Sequence, residues 1–180
     1  MKSKEKFADE FLNQVSAKPL SDITIKGLCD ESGLSRKTFY NNFDSFADLM
    51  NFTNIYVNRY VWSAFSKNSQ KANTLTDIIK IFPVALYENR DKLKVMYTSD
   101  LRGRWLKYLH DKYHDWAMEN VFKDYHSDKM PKEMACFIFC QSLISALDYW
   151  ISSPIPDKPE IFSQYLLTIM ATAPFDIPKL

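Results

Sequence analysis

Residues 23–43 constrain the fold of this chain more than any other stretch, because they specify two short helices and the turn between them. Thr24 is of a type that caps the N-terminus of a helix. Gly33 can take the left-handed conformation that ends a helix, and Ser35 is a second capping residue. The second helix is therefore expected to begin at Arg36. Two capped helices around one glycine predict a helix-turn-helix.

The second of these helices has two different sides. Arg36, Lys37 and Thr38 are expected to point outward from its first turn, whereas Phe39 and Phe43 point into the core. A recognition helix presents its first turn to the major groove of DNA in this way. The stretch therefore favours binding of double-stranded DNA.

The run SRKTFYNNF at residues 35–43 is preceded by Thr24, Gly33 and Leu34 at fixed spacing. Together they resemble the N-terminal DNA-binding domain of the TetR (tetracycline-repressor) family of bacterial transcription regulators. The close resemblance covers roughly residues 7–50. The remaining two thirds resembles the family only in being a long helical domain of the expected size.

The resemblance implies which side chains contact DNA. Arg36 and Lys37 are expected to make base or near-base contacts. The expected phosphate contacts are Thr24, Tyr40 and Asn42. The whole set assigned to DNA is Thr24, Lys26, Ser35, Arg36, Lys37, Thr38, Tyr40, Asn41 and Asn42. Two positions depart from the family pattern: Phe46 replaces a usual lysine that touches a phosphate, and Lys37 replaces a usual small residue.

The charge of the N-terminal segment is close to neutral. Residues 1–50 contain seven Lys and Arg against eight Asp and Glu. Phosphate neutralisation supplies much of the affinity of DNA-binding proteins, so a monomer is expected to bind weakly and two half-sites are needed. No acidic residue lies between Ser32 and Phe43, whereas Arg36 and Lys37 do, so the local charge of the motif is positive.

Helical spacing of apolar residues predicts an all-α chain of about nine helices, without strand-like alternation or internal repeats. An N-terminal three-helix domain is expected at 1–46 and a C-terminal helical domain for effector binding and dimerisation at 47–180. Besides the motif, the expected helices lie at about 4–16, 45–65, from Thr74 onward, 91–98, 101–122, 132–151 and 160–173.

Composition is that of a globular chain, with 46% apolar and 25% charged residues among 180. No apolar run approaches the roughly 18 residues that span a membrane, and residues 1–11 lack a signal-peptide pattern. We therefore expect a cytoplasmic protein without a membrane partner. The three cysteines, Cys29, Cys136 and Cys140, form no Cys-x-x-Cys pair and are expected to be buried free thiols. No cofactor is predicted.

The chain has four Trp, ten Tyr and thirteen Phe, enough to line a pocket as well as to fill a core. The resemblance implies such a pocket between helices, and we expect it to take a small apolar or aromatic effector. The candidate lining residues are Trp62, Phe65, Tyr87, Met96, Tyr97, Trp105, Tyr108 and Trp116.

The last helix predicts a homodimer. Between 160 and 173 only Glu160 is charged, and the apolar residues cover more than the one stripe that a monomer needs to bury. The preceding helix carries small residues at helical spacing, which allow close approach. The candidate interface residues are Ser142, Ser145, Ala146, Tyr149, Phe162, Tyr165, Leu166, Ile169 and Met170.

These patterns favour a dimeric transcription regulator that binds a palindromic operator and responds to a small molecule. An all-helical protein-interaction module that keeps the family fold without operator binding is the alternative. A metal-dependent helical enzyme is a third reading, because His110 and His114 share a helix face. No Glu follows His110, and the chain lacks a Gly-x-Ser-x-Gly elbow or a phosphate-cradling loop, so neither an enzyme nor a metal site is predicted.

Overall fold

The computed structural model describes residues 2–68 and 74–172, without the side chains of residues 64–68, 75 and 170–172. Within these ranges the chain forms nine α-helices, a short 3-10 helix at Leu20–Asp22 and no strand, which confirms the all-α fold class. The helices are α1 (Ser3–Ala17), α2 (Ile25–Ser32), α3 (Arg36–Tyr40), α4 (Phe46–Asn68), α5 (Leu75–Glu88), α6 (Arg90–Thr98), α7 (Arg102–Asn120), α8 (Lys132–Ser152) and α9 (Pro159–Thr172).

Side-chain caps and one glycine define α2 and α3, as the sequence predicts. The Gly27 N–H donates to Thr24 Oγ1 at 3.0 Å, and the Thr38 N–H donates to Ser35 Oγ at the same distance. Gly33 ends α2 with φ at +67°, in the left-handed region. These three local features set the angle at which α3 leaves α2.

Gly33→Ala is expected to lower the free energy of unfolding by about 1–2 kcal/mol, because a Cβ is disfavoured in left-handed backbone. An added Cβ would meet nothing within 4 Å at Gly33, so the cost lies in the backbone alone. Gly103→Ala is the matched control, since its Cβ also meets open space but its φ is helical. Urea denaturation should show the control within about 1 kcal/mol of wild type. Equal stabilities for the two variants would contradict this account.

The N-terminal helices share one hydrophobic core with α4. Phe7 of α1 makes edge-on contacts with Phe39 and Phe43, at centroid distances of 5.3 and 6.1 Å. Leu49 and Tyr56 of α4 are buried in the same cluster. Helix α4 begins at Phe46, so the predicted boundary between residues 46 and 47 falls within its first turn.

The C-terminal helices surround an internal space. Helix α5 packs against α4 and α9, and α8 packs against α6 and α7. Their buried residues continue the core that starts at α1, and a smaller second cluster joins the end of α7 to the first half of α8. This packing leaves a cavity among helices α4 to α9.

One described helix, α8, is long and apolar enough to cross a membrane by length and composition, with a mean hydropathy of 1.5. Its longest uninterrupted apolar run is nevertheless short, because Gln141, Ser142 and Asp148 interrupt it. Its side chains Cys136, Ile144, Leu147 and Trp150 are buried against other helices. A core helix of a globular protein has this pattern.

Candidate nucleic-acid interface and internal cavity

The exposed side of α3 carries two cations and a tyrosine. Arg36 and Lys37 are exposed, and Tyr40 is 51% exposed. Phe39, between them in sequence, is fully buried and packs edge-on against Tyr40 at 5.4 Å. The helix therefore has a buried aromatic anchor on one side and hydrogen-bond donors on the other, as the spacing predicts.

The remaining predicted DNA residues surround this surface. Thr24, Lys26, Ser35 and Asn41 are exposed, whereas Thr38 and Asn42 are half-buried. Some of these side chains also hold the motif together. Ser35 Oγ lies 2.9 Å from Thr38 Oγ1, and Asn42 Nδ2 donates to the Thr38 carbonyl at 2.7 Å. Asn42 therefore has one amide hydrogen committed within the motif and one left for another acceptor.

Phe46 replaces the lysine usual at the start of the fourth helix for a structural reason. Its half-buried ring packs edge-on against Phe11 of α1, with centroids 5.4 Å apart. A side chain held in this contact cannot reach a phosphate. The position therefore contributes to the junction of α1 and α4 instead of to DNA contact.

A polar cluster joins the motif to the helices around the cavity. Tyr56 of α4 donates to Asp9 of α1 at 2.9 Å, and Lys92 of α6 pairs with the same carboxylate at 2.7 Å. The Tyr60 hydroxyl donates to that of Tyr56 at 2.8 Å. Burial, followed by the hydrogen bonds with Tyr60 and Asp9, raises the pKa of Tyr56. The phenol therefore stays protonated and keeps donating to Asp9. Sequence patterns did not predict this cluster, because its members lie far apart in the chain.

A cavity of about 220 Å³ lies among α4 to α9. Its wall is apolar except for one amide, two phenols, indole N–H groups and a thiol, and the lining residues that the structure describes include no Asp, Glu, Lys, Arg or His. The polar groups include Asn58, whose Oδ1 accepts a hydrogen bond of 2.8 Å from the Tyr113 hydroxyl. Such a space suits an uncharged, mostly apolar molecule.

Four of the eight predicted lining residues line the cavity. Trp62, Tyr97, Trp105 and Trp116 line the cavity. Tyr108 stacks on Trp105 at 5.6 Å and lines an adjoining groove between α4 and α7. The other three do not line the cavity: Tyr87 stacks on Trp150 at 6.1 Å, Met96 is fully buried in the core, and the side chain of Phe65 lies outside the described residues.

Most of the cavity wall consists of residues that the sequence interpretation assigned to the core or left without a role. Aliphatic side chains such as Ile79, Leu86 and Leu143 line it, because a hydrophobic stripe does not show where close packing gives way to a space. One available signal was Asn58, which is 5% exposed and interrupts the apolar stripe of α4. A buried amide within such a stripe needs a specific partner.

The exposed apolar surface of the chain is concentrated at its C-terminal end. Of the ten large apolar side chains that are exposed in the described part, six belong to α8, α9 and the loop between them. They are Met134, Phe137, Tyr149, Ile155, Ile161 and Tyr165. Several exposed apolar side chains on two helices are a common feature of protein–protein interfaces.

The interface prediction is wrong for Phe162 and Leu166, because both side chains are buried in the core of their own chain. Phe162 stacks on Trp150 with centroids 4.1 Å apart, and Leu166 lines the cavity. Among the other predicted residues, Ser145, Tyr149 and Tyr165 are exposed. Ser142, Ala146 and Ile169 are half-buried, and the side chain of Met170 is not among those described. The pattern did not show which side of α9 each of these residues occupies.

Solved structures with similar folds cover nearly the whole chain. A TetR transcriptional regulator from Streptococcus agalactiae aligns with a TM-score of 0.65 and 17% identity over 92% of both chains. This chain has the TetR fold. The dihydroxyacetone kinase operon activator DhaS has a TM-score of 0.58 and 14% identity, over 93% of this chain and 94% of DhaS. The TetR-family repressor AlkX from a Dietzia strain is implicated in biodegradation of n-alkanes. It aligns with a TM-score of 0.52 and 13% identity, over 92% of this chain and 94% of AlkX.

No protein-family model and no curated protein sequence matches the chain. The similarity to the TetR fold is therefore visible in three dimensions and in the short motif of residues 23–43. The two departures from the family pattern, Lys37 and Phe46, both fall within or beside this motif and leave its helices intact.

The remaining candidate chemistry in this TetR fold is limited. The rings of His110 and His114 stack with centroids 5.6 Å apart, but no group of three His, Cys, Asp or Glu in the described ranges could hold a metal ion. Cys29, Cys136 and Cys140 are buried free thiols, as expected. Burial raises the pKa of the Cys140 thiol to about 12, so this cavity-lining group remains protonated near neutral pH.

Proposed function

We propose that this chain is a transcription regulator that binds a palindromic DNA operator as a homodimer and responds to a small molecule in the cavity. The observation that supports it best is the arrangement on α3, where Arg36, Lys37 and Tyr40 are exposed around the buried anchor Phe39. Guanidinium and ammonium groups donate to guanine edges or phosphates, and a tyrosine hydroxyl donates to phosphate. In this proposal residues 1–46 contact DNA, while 47–180 bind the effector and the second subunit.

The dimer is proposed to form through the exposed apolar surface of α8 and α9. Two copies of this surface related by a two-fold axis would place two motifs side by side, as a palindromic operator requires. Two copies also double the number of phosphate contacts, which compensates for the near-neutral charge of each motif.

Effector response is proposed to pass through the two helices that contact both sites. Helix α4 carries Tyr56 toward α1 and Asn58 into the cavity wall. Helix α6 carries Lys92, which pairs with Asp9, and Leu93 and Tyr97, which line the cavity. A ligand that displaces either helix would therefore change the angle of α1 and the spacing of the two recognition helices. A coupling free energy of about 3 kcal/mol would change operator affinity roughly 150-fold.

Selection of bound fragments from a random DNA pool is the direct test, because it gives operator sequence, symmetry and half-site spacing together. With that operator, Arg36→Ala is expected to cost about 1–3 kcal/mol and to relax preference at one base position. Tyr40→Phe removes a phosphate donor, so it should weaken binding to all sequences alike. Fluorescence anisotropy with matched and mutated operators measures both effects.

The control for lost charge is Lys123→Ala, which removes an exposed lysine just beyond the end of α7 that lies away from the motif. It should leave operator affinity within about twofold of wild type, since rim charges far from DNA are screened. If Arg36→Ala and Tyr40→Phe both bind the selected operator as wild type does, the assignment of α3 to DNA is refuted.

The alternative is an interaction module that keeps the TetR fold without operator binding. It is favoured by the near-neutral charge of residues 1–50 and by the packing of Phe46 in the core. Electrophoretic mobility shift at two salt concentrations separates the two functions. A regulator gives discrete complexes that weaken steeply with salt, whereas a module gives none at either concentration.

A further inference from the structure

We propose that the cavity takes an uncharged aromatic molecule with one hydrogen-bond acceptor, and that this acceptor receives the indole N–H of Trp105. The inference rests on the proposed function only in treating the cavity as a ligand site. It goes further by assigning the chemical class of the ligand and the side chain that recognises it.

Trp105 Nε1 is a buried donor without a hydrogen-bond partner. Three side-chain nitrogen or oxygen atoms in the described part have this status: Gln14 Oε1, Trp105 Nε1 and His110 Nε2. Among the three residues, Trp105 alone lines the cavity, and only 1% of its surface is exposed. Buried donors in folded proteins are nearly always paired, so an unpaired one in a cavity wall calls for a bound acceptor.

The neighbouring polar groups do not meet this need. The Tyr97 ring meets Trp105 edge-on at 6.1 Å. Burial raises the pKa of Tyr97, and the nearby indole N–H of Trp105 lowers it. The Tyr97 hydroxyl nevertheless lies outside hydrogen-bond geometry for that N–H. Asn58 and Tyr113 already pair with each other. A carbonyl or ether oxygen of a ligand is the acceptor that this wall lacks.

The rest of the wall explains why the ligand should be aromatic and neutral. Aromatic rings from five helices line the cavity, among them Trp62, Phe82, Tyr97, Trp116 and Phe139. Charged side chains are missing from the described lining, so an ionised ligand would lose its hydration without gaining a partner. A dry apolar cavity of roughly 150 Å³ in another protein holds benzene. The 220 Å³ found here therefore has room for a substituted ring.

Three related probes separate these requirements: acetophenone, α-methylstyrene and benzoate. The first two have nearly the same shape, but a methylene group replaces the carbonyl oxygen in α-methylstyrene. Benzoate keeps the ring and carries a charge. Isothermal titration calorimetry without DNA gives the affinity of each probe for wild type, for Trp105→Phe and for the matched control Trp116→Phe, which also replaces a cavity-lining indole.

The ratio of acetophenone affinity to α-methylstyrene affinity is the informative quantity, because it cancels the change in cavity shape. We expect Trp105→Phe to lower this ratio roughly 5- to 10-fold, as the loss of one hydrogen bond would, and Trp116→Phe to leave it unchanged. Benzoate should bind wild type at least roughly 100-fold more weakly than acetophenone. An unchanged ratio in Trp105→Phe, comparable binding of benzoate, or no binding of either neutral probe would overturn the inference.

A second measurement on wild-type protein tests the inference even if Trp105→Phe does not fold. In wild-type protein the Trp105 indole N–H proton resonance should move downfield with acetophenone and not with α-methylstyrene. A resonance that responds to both probes alike would overturn the inference as well. Operator affinity with saturating acetophenone is measured separately, so that a bound probe without an effect on DNA counts against the proposed effector response and not against the ligand assignment.

Discussion

Phe39→Ala is expected to lower the free energy of unfolding by about 3–5 kcal/mol, the largest stability change that we predict for the motif. Phe39 has no exposed surface and contacts both Phe7 and Phe43 at 5.3 Å between centroids. Truncation leaves a hole at the point where α1, α3 and α4 meet, and the surrounding rings cannot close it. The midpoint of chemical denaturation, with its slope, measures the loss.

Tyr40→Ala is the matched control for this substitution, since it removes the next aromatic ring in the chain. Tyr40 is 51% exposed, so its loss should change stability by about 1 kcal/mol or less while weakening DNA binding. Phe39→Ala should affect both properties. Similar stability losses for the two variants would contradict the assignment of opposite sides to α3.

The double substitution Tyr149→Glu with Tyr165→Glu is expected to produce monomers and to abolish binding to a full operator. Both side chains are exposed on the apolar surface of α8 and α9, at 84% and 49%. A two-fold interface would bury these carboxylates without partners, and an unpaired buried charge costs about 3–5 kcal/mol. The dimer dissociation constant should therefore rise roughly 100-fold or more. Sedimentation velocity should then show a species of 21.1 kDa instead of twice that mass.

Ile55→Glu is the corresponding control, because Ile55 is 57% exposed and lies on α4. It introduces one such carboxylate at an exposed apolar position outside the proposed interface and should leave the dimer intact. A wild type that sediments as a monomer at micromolar concentration would refute the dimer itself. Leu166, by contrast, is a poor test position, since a glutamate there would enter the cavity wall.

Local chemistry explains why the motif could be predicted closely from sequence. Capping by Thr24 and Ser35 and the left-handed Gly33 depend on neighbouring backbone alone, so their positions are visible in the chain. The burial of Phe39 beside the exposed Arg36 follows from helical spacing in the same way. The bounds of the longer helices agree with the predictions within a few residues for the same reason.

The candidate surfaces farther along the chain depend on tertiary packing, which periodicity does not encode. Phe162 and Tyr165 are both apolar residues of α9, yet one stacks on Trp150 and the other is exposed. The choice depends on where α5 and α8 lie. Met96 and Tyr97 are likewise adjacent and buried, but only Tyr97 reaches the cavity. The ion pair between Asp9 and Lys92 joins residues 83 positions apart. The local sequence around either residue therefore could not predict it.

Because α4 completes the core around α1 and α3, residues 1–46 should not be exchangeable as a free-standing module. A fragment ending at residue 46 would lack Leu49 and Tyr56, and the rings of Phe7 and Phe43 would be left open to water. A chimera that grafts this motif onto another protein of the TetR fold must carry the first three turns of α4 and a partner for Asp9 in place of Lys92. Under the proposed function, operator specificity would therefore evolve by side-chain changes on α3 more readily than by recombination at the N-terminal boundary.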